Sequence, residues 1–193
     1  MNGRVKPRNG DETKSMSAII RELYELRNEK TKLLETISIL TEKSLTDPLT
    51  GLGNRRKMHN SLSQYVAELT REKKPLSVMA IDMNNLKLLN DSFGHAHGDN
   101  ALLNISDALK STIRINDVAC RTGGDEFVVI LPGTDKPGAN RFANRLKARL
   151  SEKAIDVSIG VATESGIINR NEVQSTVNKM LYDADARMYN EKT

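Results

Sequence analysis

Val118-Ala119-Cys120-Arg121-Thr122-Gly123-Gly124-Asp125-Glu126-Phe127-Val128-Val129-Ile130-Leu131 is the stretch on which the fold turns. Val118 to Arg121 and Glu126 to Leu131 are short runs rich in apolar and β-branched residues, and Gly123-Gly124 separates them. The pattern predicts a β-hairpin. Its turn carries two acids, Asp125 and Glu126. On turn chemistry alone, Gly-Gly followed by acids reads equally well as a site or as an ordinary surface hairpin.

Outward from the hairpin the apolar periodicity alternates between strand and helix. Asp47-Pro48 suits a helix start, and Asn54 to about Lys73 runs helically with Met58, Leu62, Tyr65, Val66 and Leu69 on one face, up to Pro75. Leu76 to Met83 predicts a buried strand, Asp99 to about Ile113 a helix, Lys136 to Leu150 a helix, Ile155 to Ala162 a strand and Glu172 to about Glu191 a closing helix. The order helix, βαββαβ, helix implies an α/β chain of the α+β kind. Its architecture is a ferredoxin-like antiparallel sheet flanked by helices, as in nucleotidyl-cyclase palms.

The chain divides into three. Residues 1–15 are polar and read as a disordered tail. Residues 16–44 carry a heptad seam of Met16, Ile19, Leu23, Leu26, Lys30, Leu33, Ile37 and Leu40. This spacing predicts an N-terminal coiled-coil helix forming a parallel homodimer, with Lys30 as the polar register residue; Ile20 and Leu34 widen the stripe, as in an ordinary amphipathic helix. Residues 45–193 carry the compact α/β pattern and read as one domain. The sequence shows no sensor domain ahead of the coil, so the expectation is either a fragment of a longer protein or regulation through the tail, a partner or oligomerisation.

Composition narrows the classes. The 193 residues carry a formal net charge of +4, with 38% hydrophobic and 28% charged residues. No window approaches the apolar length of a membrane span, and no apolar run follows Arg4, Lys6 and Arg8, so neither a span nor a secretory signal is expected and the location expected is cytoplasmic. Basic residues alternate with acids, there is no Trp and aromatics are 4%, which disfavours nucleic acid as a partner. Cys120 reads as a small buried hydrophobe. His95 and His97 lack further His or Cys nearby to complete a zinc site, and His95 is read as fixing its loop.

Asp82 closes one strand and Asp125 lies in the hairpin. Acids converging on one sheet edge repel unless a cation lies between them. Magnesium suits such a pair, since it takes few carboxylates and completes its octahedron with phosphate and water. Gly123 and Gly124 let backbone approach a ribose or phosphate.

Six blocks in order resemble the GGDEF family of diguanylate cyclases. They are Asp47 to Arg56 (DPLTGLGNRR), Asp82 to Asp91 (DMNNLKLLND), Gly94 to Asp99 (GHAHGD), Arg121 to Phe127 (RTGGDEF), Val157 to Ala162 (VSIGVA) and Ala184 to Tyr189 (ADARMY). The resemblance implies an enzyme that condenses two GTP into cyclic di-GMP with release of two pyrophosphates, at the interface of two facing domains. Asp82, Asp125 and the Met83 carbonyl would hold Mg2+, or Mn2+ in its place. Glu126, with Asp125, Gly123, Gly124 and Lys87, would form the catalytic set. Asn90 and Asp99 would read guanine; Lys87 and Lys192 would neutralise the triphosphate, and the main chain of Asn84, Asn85, Leu86 and Lys87 would bind its oxygens.

Arg114-Ile115-Asn116-Asp117 places an RxxD before the turn. The resemblance makes Arg114, Asp117 and Arg145 an inhibitory site for the product; taken alone, the pair reads as a surface ion pair at a helix end. Asn84 and Leu86 depart from the family's usual Asp and Phe, and a basic tail often follows the position of Lys192. The alternative from another class is a non-catalytic cyclic di-GMP receptor signalling through the coil.

Overall fold

The computed structural model describes residues 9–71 and 73–192, with side chains set aside at 9–17, 37–39 and 41–44. The chain divides into two compact units, residues 1–44 and 45–193.

In the first unit, helix α1 runs from Asn9 to Leu45. It starts earlier than the seam suggested, because Asn9 to Ser15 continue the helix; residues 1–8 of the expected tail lie outside the described residues. Ile19, Leu23, Leu26, Leu33 and Leu40 are each half exposed or more. Nothing among the unit's described residues covers them. Seam positions Met16 and Ile37 lie outside the residues whose side chains are described.

The second unit is a sheet with helices on both faces. Its elements are α2 (Arg55–Glu68), β1 (Leu76–Met83), α3 (Leu86–Phe93), α4 (His95–Thr112), β2 (Val118–Arg121), β3 (Glu126–Pro132), α5 (Lys136–Ser151), β4 (Val157–Glu164) and α6 (Val173–Lys192). The four strands are ordered β2-β3-β1-β4, and all pairings are antiparallel. Every residue of β1 is buried, as expected of a central strand covered on both faces. Alternate side chains feed two cores: Met79, Ile81 and Phe127 face α4 and α5, while Val78, Ala80 and Ile130 face α2 and α6. No helix among the described residues is long and apolar enough to cross a membrane.

Several boundaries differ from the sequence reading. Asp47 does not start a helix: its carboxylate accepts from the Thr50 amide and hydroxyl, at 2.9 and 2.6 Å, and closes a turn. Helix α2 begins instead behind Asn54, whose side chain caps the Lys57 amide. It stops at Glu68, where Leu69, Thr70 and Arg71 each bond three residues back and tighten the last turn. Between β1 and β2 lie two helices rather than one, because Gly94 at φ 85° breaks α3 from α4.

The sheet's outer edges are both covered. On β2, Gly53 donates to Ala119 O at 3.0 Å and accepts from the Arg121 amide at 2.8 Å. On β4, α6 does the covering, and Gly160 lets it do so. A Cβ there would run into the main chain of Ala184 and Met188, so the helix backbone lies directly on the strand. Cys120 is fully buried on β2, and burial pushes its thiol up to about 12.

Candidate active site

Antiparallel pairing of β1 with β3 sets Asp82 directly opposite Glu126. The Met83 amide donates to Asp125 O at 3.1 Å, so the hairpin turn is tied to the end of β1. Asp82 thus meets the sequence neighbours Asp125 and Glu126, more than 40 positions away, where β1 and β3 end. Lys192, at the end of α6, donates from Nζ to Asp82 Oδ1 at 2.6 Å. The Asp82 bond, with the charges of Asp82, Asp125 and Glu126, outweighs burial and holds the ammonium above its usual range.

The turn itself is stiff. Arg121 donates from Nε and a terminal guanidinium nitrogen to Gly124 O, at 3.2 and 2.8 Å, and pairs with Asp47 Oδ1 at 3.3 Å. Burial raises the Asp47 carboxyl, but bonds from Thr50 and Arg121 outweigh it and hold it below the usual range. Arg55 Nε donates to Thr122 O at 3.0 Å, and the same guanidinium lies 3.6 Å from Glu126. Gly123 is packed under the Glu126 side chain, whereas nothing lies within 4 Å of where a Gly124 Cβ would be. One glycine makes room for the Glu126 side chain and the other leaves the outer face of the turn open.

The loop after β1 is built differently from an acidic loop. The Asn84 amide nitrogen donates to Asp156 Oδ2 at 2.7 Å, and its Oδ1 accepts from Ser158 at 3.0 Å. Asn84 therefore pins the loop to β4. Its main-chain N–H is also engaged, on Asp156 O at 3.0 Å. Asn85 is left-handed at φ 60° and starts α3 with no side-chain cap. The α3 first-turn amides, including those of Leu86 and Lys87, face outward as an N-terminus with partial positive charge. Lys87 is exposed beside them.

Asn90 rests against Gly98, where any Cβ would collide with its amide. Its Oδ1 is buried with no hydrogen-bond partner among the described residues. An unpaired buried acceptor costs about 1–3 kcal/mol, so this oxygen is suited to a ligand's N–H. Asp99 follows Gly98 in the first turn of α4, exposed.

Arg114 and Asp117 close a turn after α4. The Arg114 amide donates to Asp117 Oδ2 at 2.8 Å and the Asp117 amide to Arg114 O at 3.1 Å. Arg114 itself is exposed. Burial raises Asp117 above the usual carboxylate range, against the opposing pull of the Arg114 amide and charge. Arg145 lies on α5 with its guanidinium 5.6 Å over the Phe142 ring. The roles of Arg55, Asp47, Asp156 and Glu191 were not among the residues read from sequence; only Asp47 and Arg55 fell within a quoted block.

Among the described residues no three His, Cys, Asp or Glu side chains form a ready-made metal cage. The donors available, the Asp82 and Asp125 carboxylates with the Met83 carbonyl, are all hard oxygens. Asp82 already holds one cationic group, the Lys192 ammonium. This set fits a hard divalent cation that draws its remaining ligands from phosphate and water.

The sequence and the fold have counterparts in known proteins. A family model described as "Diguanylate cyclase, GGDEF domain" matches residues 44–193. Diguanylate cyclase DgcS of Shewanella oneidensis is 35% identical over 153 residues, covering 76% of this chain and 51% of DgcS. Response regulator PleD of Caulobacter vibrioides is 38% identical over 136 residues, covering 65% of this chain and 30% of PleD. The chain thus spans about half or less of these relatives' length. The structure of the coiled coil and GGDEF domain of DgcB from Caulobacter crescentus, in complex with c-di-GMP, matches in fold with a TM-score of 0.79 at 22% identity, covering 91% of this chain and 94% of that one. A microbial GGDEF domain solved with cyclic di-GMP matches with a TM-score of 0.70 at 31% identity, covering 79% of this chain and 93% of that one. With the matched model running from the end of α1 through α6, the chain belongs to the GGDEF-domain family of diguanylate cyclases.

Proposed function

We propose that the chain is a cytoplasmic diguanylate cyclase that joins two GTP molecules into cyclic di-GMP and releases two pyrophosphates. The observation that carries this reading is the meeting of Asp82, Asp125 and Glu126 at one sheet edge, with the Lys192 ammonium on Asp82. A receptor that only bound the product would have no use for acids assembled beside an open Gly124.

Each domain holds one GTP. The buried Asn90 oxygen accepts a guanine N–H, and the Asp99 carboxylate accepts the paired donors that adenine lacks. The α3 first-turn amides and Lys87 receive the terminal phosphates. Glu126 accepts the proton of the 3′-hydroxyl. That oxygen bonds to the α-phosphorus of the GTP on the facing domain while the bond to pyrophosphate breaks; the reciprocal attack closes the ring. Asp82, Asp125 and the Met83 carbonyl would hold Mg2+, or Mn2+ in its place, and the ion would neutralise charge on the α-phosphate of the transferring nucleotidyl group.

Two facing domains are required because one site holds only one of the two reactants. The exposed apolar seam of α1 supports a homodimer that raises the effective concentration of one site for the other. The exposed Arg114 and the turn closed by Asp117 support a product-binding inhibitory site, with Arg145 as its second arginine.

Incubating the purified chain with GTP and magnesium, then separating the nucleotides, tests the reading. Cyclic di-GMP and pyrophosphate are expected in a one-to-two ratio, and a chelator should stop their formation. Binding of cyclic di-GMP without synthesis would overturn the enzyme in favour of the receptor.

A further inference from the structure

β4 is an edge strand, so residues on its outer side present main-chain donors and acceptors to no other strand. Two α6 side chains, four residues apart and hence on one helix face, meet this edge. Arg187 donates to Val161 O. Glu191 Oε2 accepts from the Ile159 amide at 2.6 Å and from Lys147 Nζ of α5 at 2.7 Å. Ile159 and Val161 are two apart on the strand, so their outward groups lie on the same edge. One side chain of α6 takes an acceptor and the other a donor.

We infer that Arg187 and Glu191 form a clamp that sets the register of α6 on β4, and that Glu191 is a positioning residue for Lys192, acting through the helix end to hold its ammonium at the acid cluster. The inference rests on the proposed role of Lys192 toward the GTP triphosphate. A helix end frays unless something ties it down. Here the tie lies one residue before the functional lysine. Ile159 pairs with Ile81, the neighbour of Asp82, so the anchor point and the acid that Lys192 reaches sit on adjacent strands nearly level with each other. Fraying of the last turn would release Lys192 from Asp82 and leave it to be ordered anew by each incoming triphosphate, a cost that falls on GTP binding rather than on the chemical step.

The test is a cycle of Glu191→Ala, Lys192→Ala and the double variant in the full chain, read by steady-state kinetics with GTP and magnesium. Glu191→Ala should raise KM about tenfold, as expected for loss of a charge-assisted anchor, with kcat changed less than about twofold. Glu191→Gln keeps an acceptor for the Ile159 amide and should recover most of the loss. In the Lys192→Ala background, Glu191→Ala should add nothing. Equal KM increments in both backgrounds, or an unchanged KM in Glu191→Ala, would overturn the positioning role. If the parent chain makes no cyclic di-GMP, the proposed function fails, and the same cycle is read by equilibrium GTP binding with amide exchange at Ile159. Protection lost in Glu191→Ala and kept in Lys192→Ala, together with non-additive affinities, supports the clamp; protection unchanged in Glu191→Ala rejects it.

Discussion

Lys192 Nζ lies 2.6 Å from Asp82 Oδ1 although 110 positions separate them in sequence. β1 ends at the turn of the β2–β3 hairpin, and α6 crosses the sheet to the same corner. The acids there therefore do not face one another unscreened. A monovalent ammonium sits among them, held above its usual pKa range by the bond to Asp82 and by the charges of Asp82, Asp125 and Glu126. A corner so charged suits the hard cation of the proposed function.

Asp125→Asn should abolish synthesis and leave the fold intact. The side chain has no structural bond among the described residues; it is the main-chain Asp125 O that ties to Met83, and Asn keeps it. Loss of one carboxylate facing the reacting phosphate should lower the rate of cyclic di-GMP formation by at least about 100-fold. Chromatographic quantification of product, with circular dichroism as the fold control, checks it. Retained activity would reject the metal-binding assignment.

How much of this was legible beforehand varied by element. The hairpin and β1 could be read because apolar runs bounded by glycines and acids carry their own signal, and Asp82 and Asp125 follow from the strand ends. Helix α3 could not. It has eight residues, fewer than a periodic pattern needs to stand out, and starts from a left-handed Asn85, while Leu86 and Leu89 pack on the core only partly buried. Asp47-Pro48 carries a helix-start pattern, but the Asp47 carboxylate closes a turn on Thr50 and braces Arg121, and the second contact is visible only in three dimensions. Asn84 was read as a missing acid; its bonds to Asp156 and Ser158 depend on β4 lying beside β1. The β4 edge contacts of Arg187 and Glu191 likewise need the strand order, which no local pattern contains.

Arg114→Ala should relieve inhibition by the product. The turn itself survives, since it is closed by the main chain of Arg114 and the Asp117 side chain. The concentration of cyclic di-GMP giving half-inhibition should rise about tenfold or more, the size expected on losing a bidentate arginine. An inhibition curve unchanged from the parent would remove the site from this loop.

Leu26→Lys should separate the proposed dimer. Leu26 is 55% exposed on the α1 seam, where a second copy of the helix would cover it. Sedimentation should show monomer, and synthesis at low protein concentration should fall about tenfold or more as the two sites lose their shared tether. A monomer that turns over at the parent's rate would contradict the two-domain mechanism.

Asp47→Asn tests the turn that braces Arg121. The Asp47 carboxyl is held below its usual value by Thr50 and Arg121, against the effect of burial. A carboxylate depressed in the folded state stabilises above its unfolded pKa, near 3.8, and that contribution is lost as pH falls through the folded value. At pH 7 the variant should be less stable than the parent by about 1–2 kcal/mol. Below about pH 4 the difference should begin to shrink, as the unfolded chain's carboxyl takes up its proton, and it should be gone once the pH has fallen through the lowered folded value. Thermal melts across that range check the sign, and a gap that widens in acid would reject it.

Two glycines should respond oppositely to the same added methyl. At Gly160 a Cβ meets the main chain of Ala184 and Met188, which cannot swing aside as a side chain would. Gly160→Ala should cost about 2–3 kcal/mol as α6 is pushed off β4. Because Lys192 rides on that helix, KM for GTP should rise with it. At Gly124 a Cβ meets nothing within 4 Å, and the backbone needs no positive φ. Gly124→Ala should therefore change stability by less than about 0.5 kcal/mol. Turnover should nonetheless fall about tenfold or more, since the methyl projects into the space a substrate backbone of sugar and phosphate would fill. Urea denaturation beside steady-state rates separates the two. Equal stability losses, or a Gly124→Ala enzyme at full speed, would show that the open face of the turn is not where GTP lies.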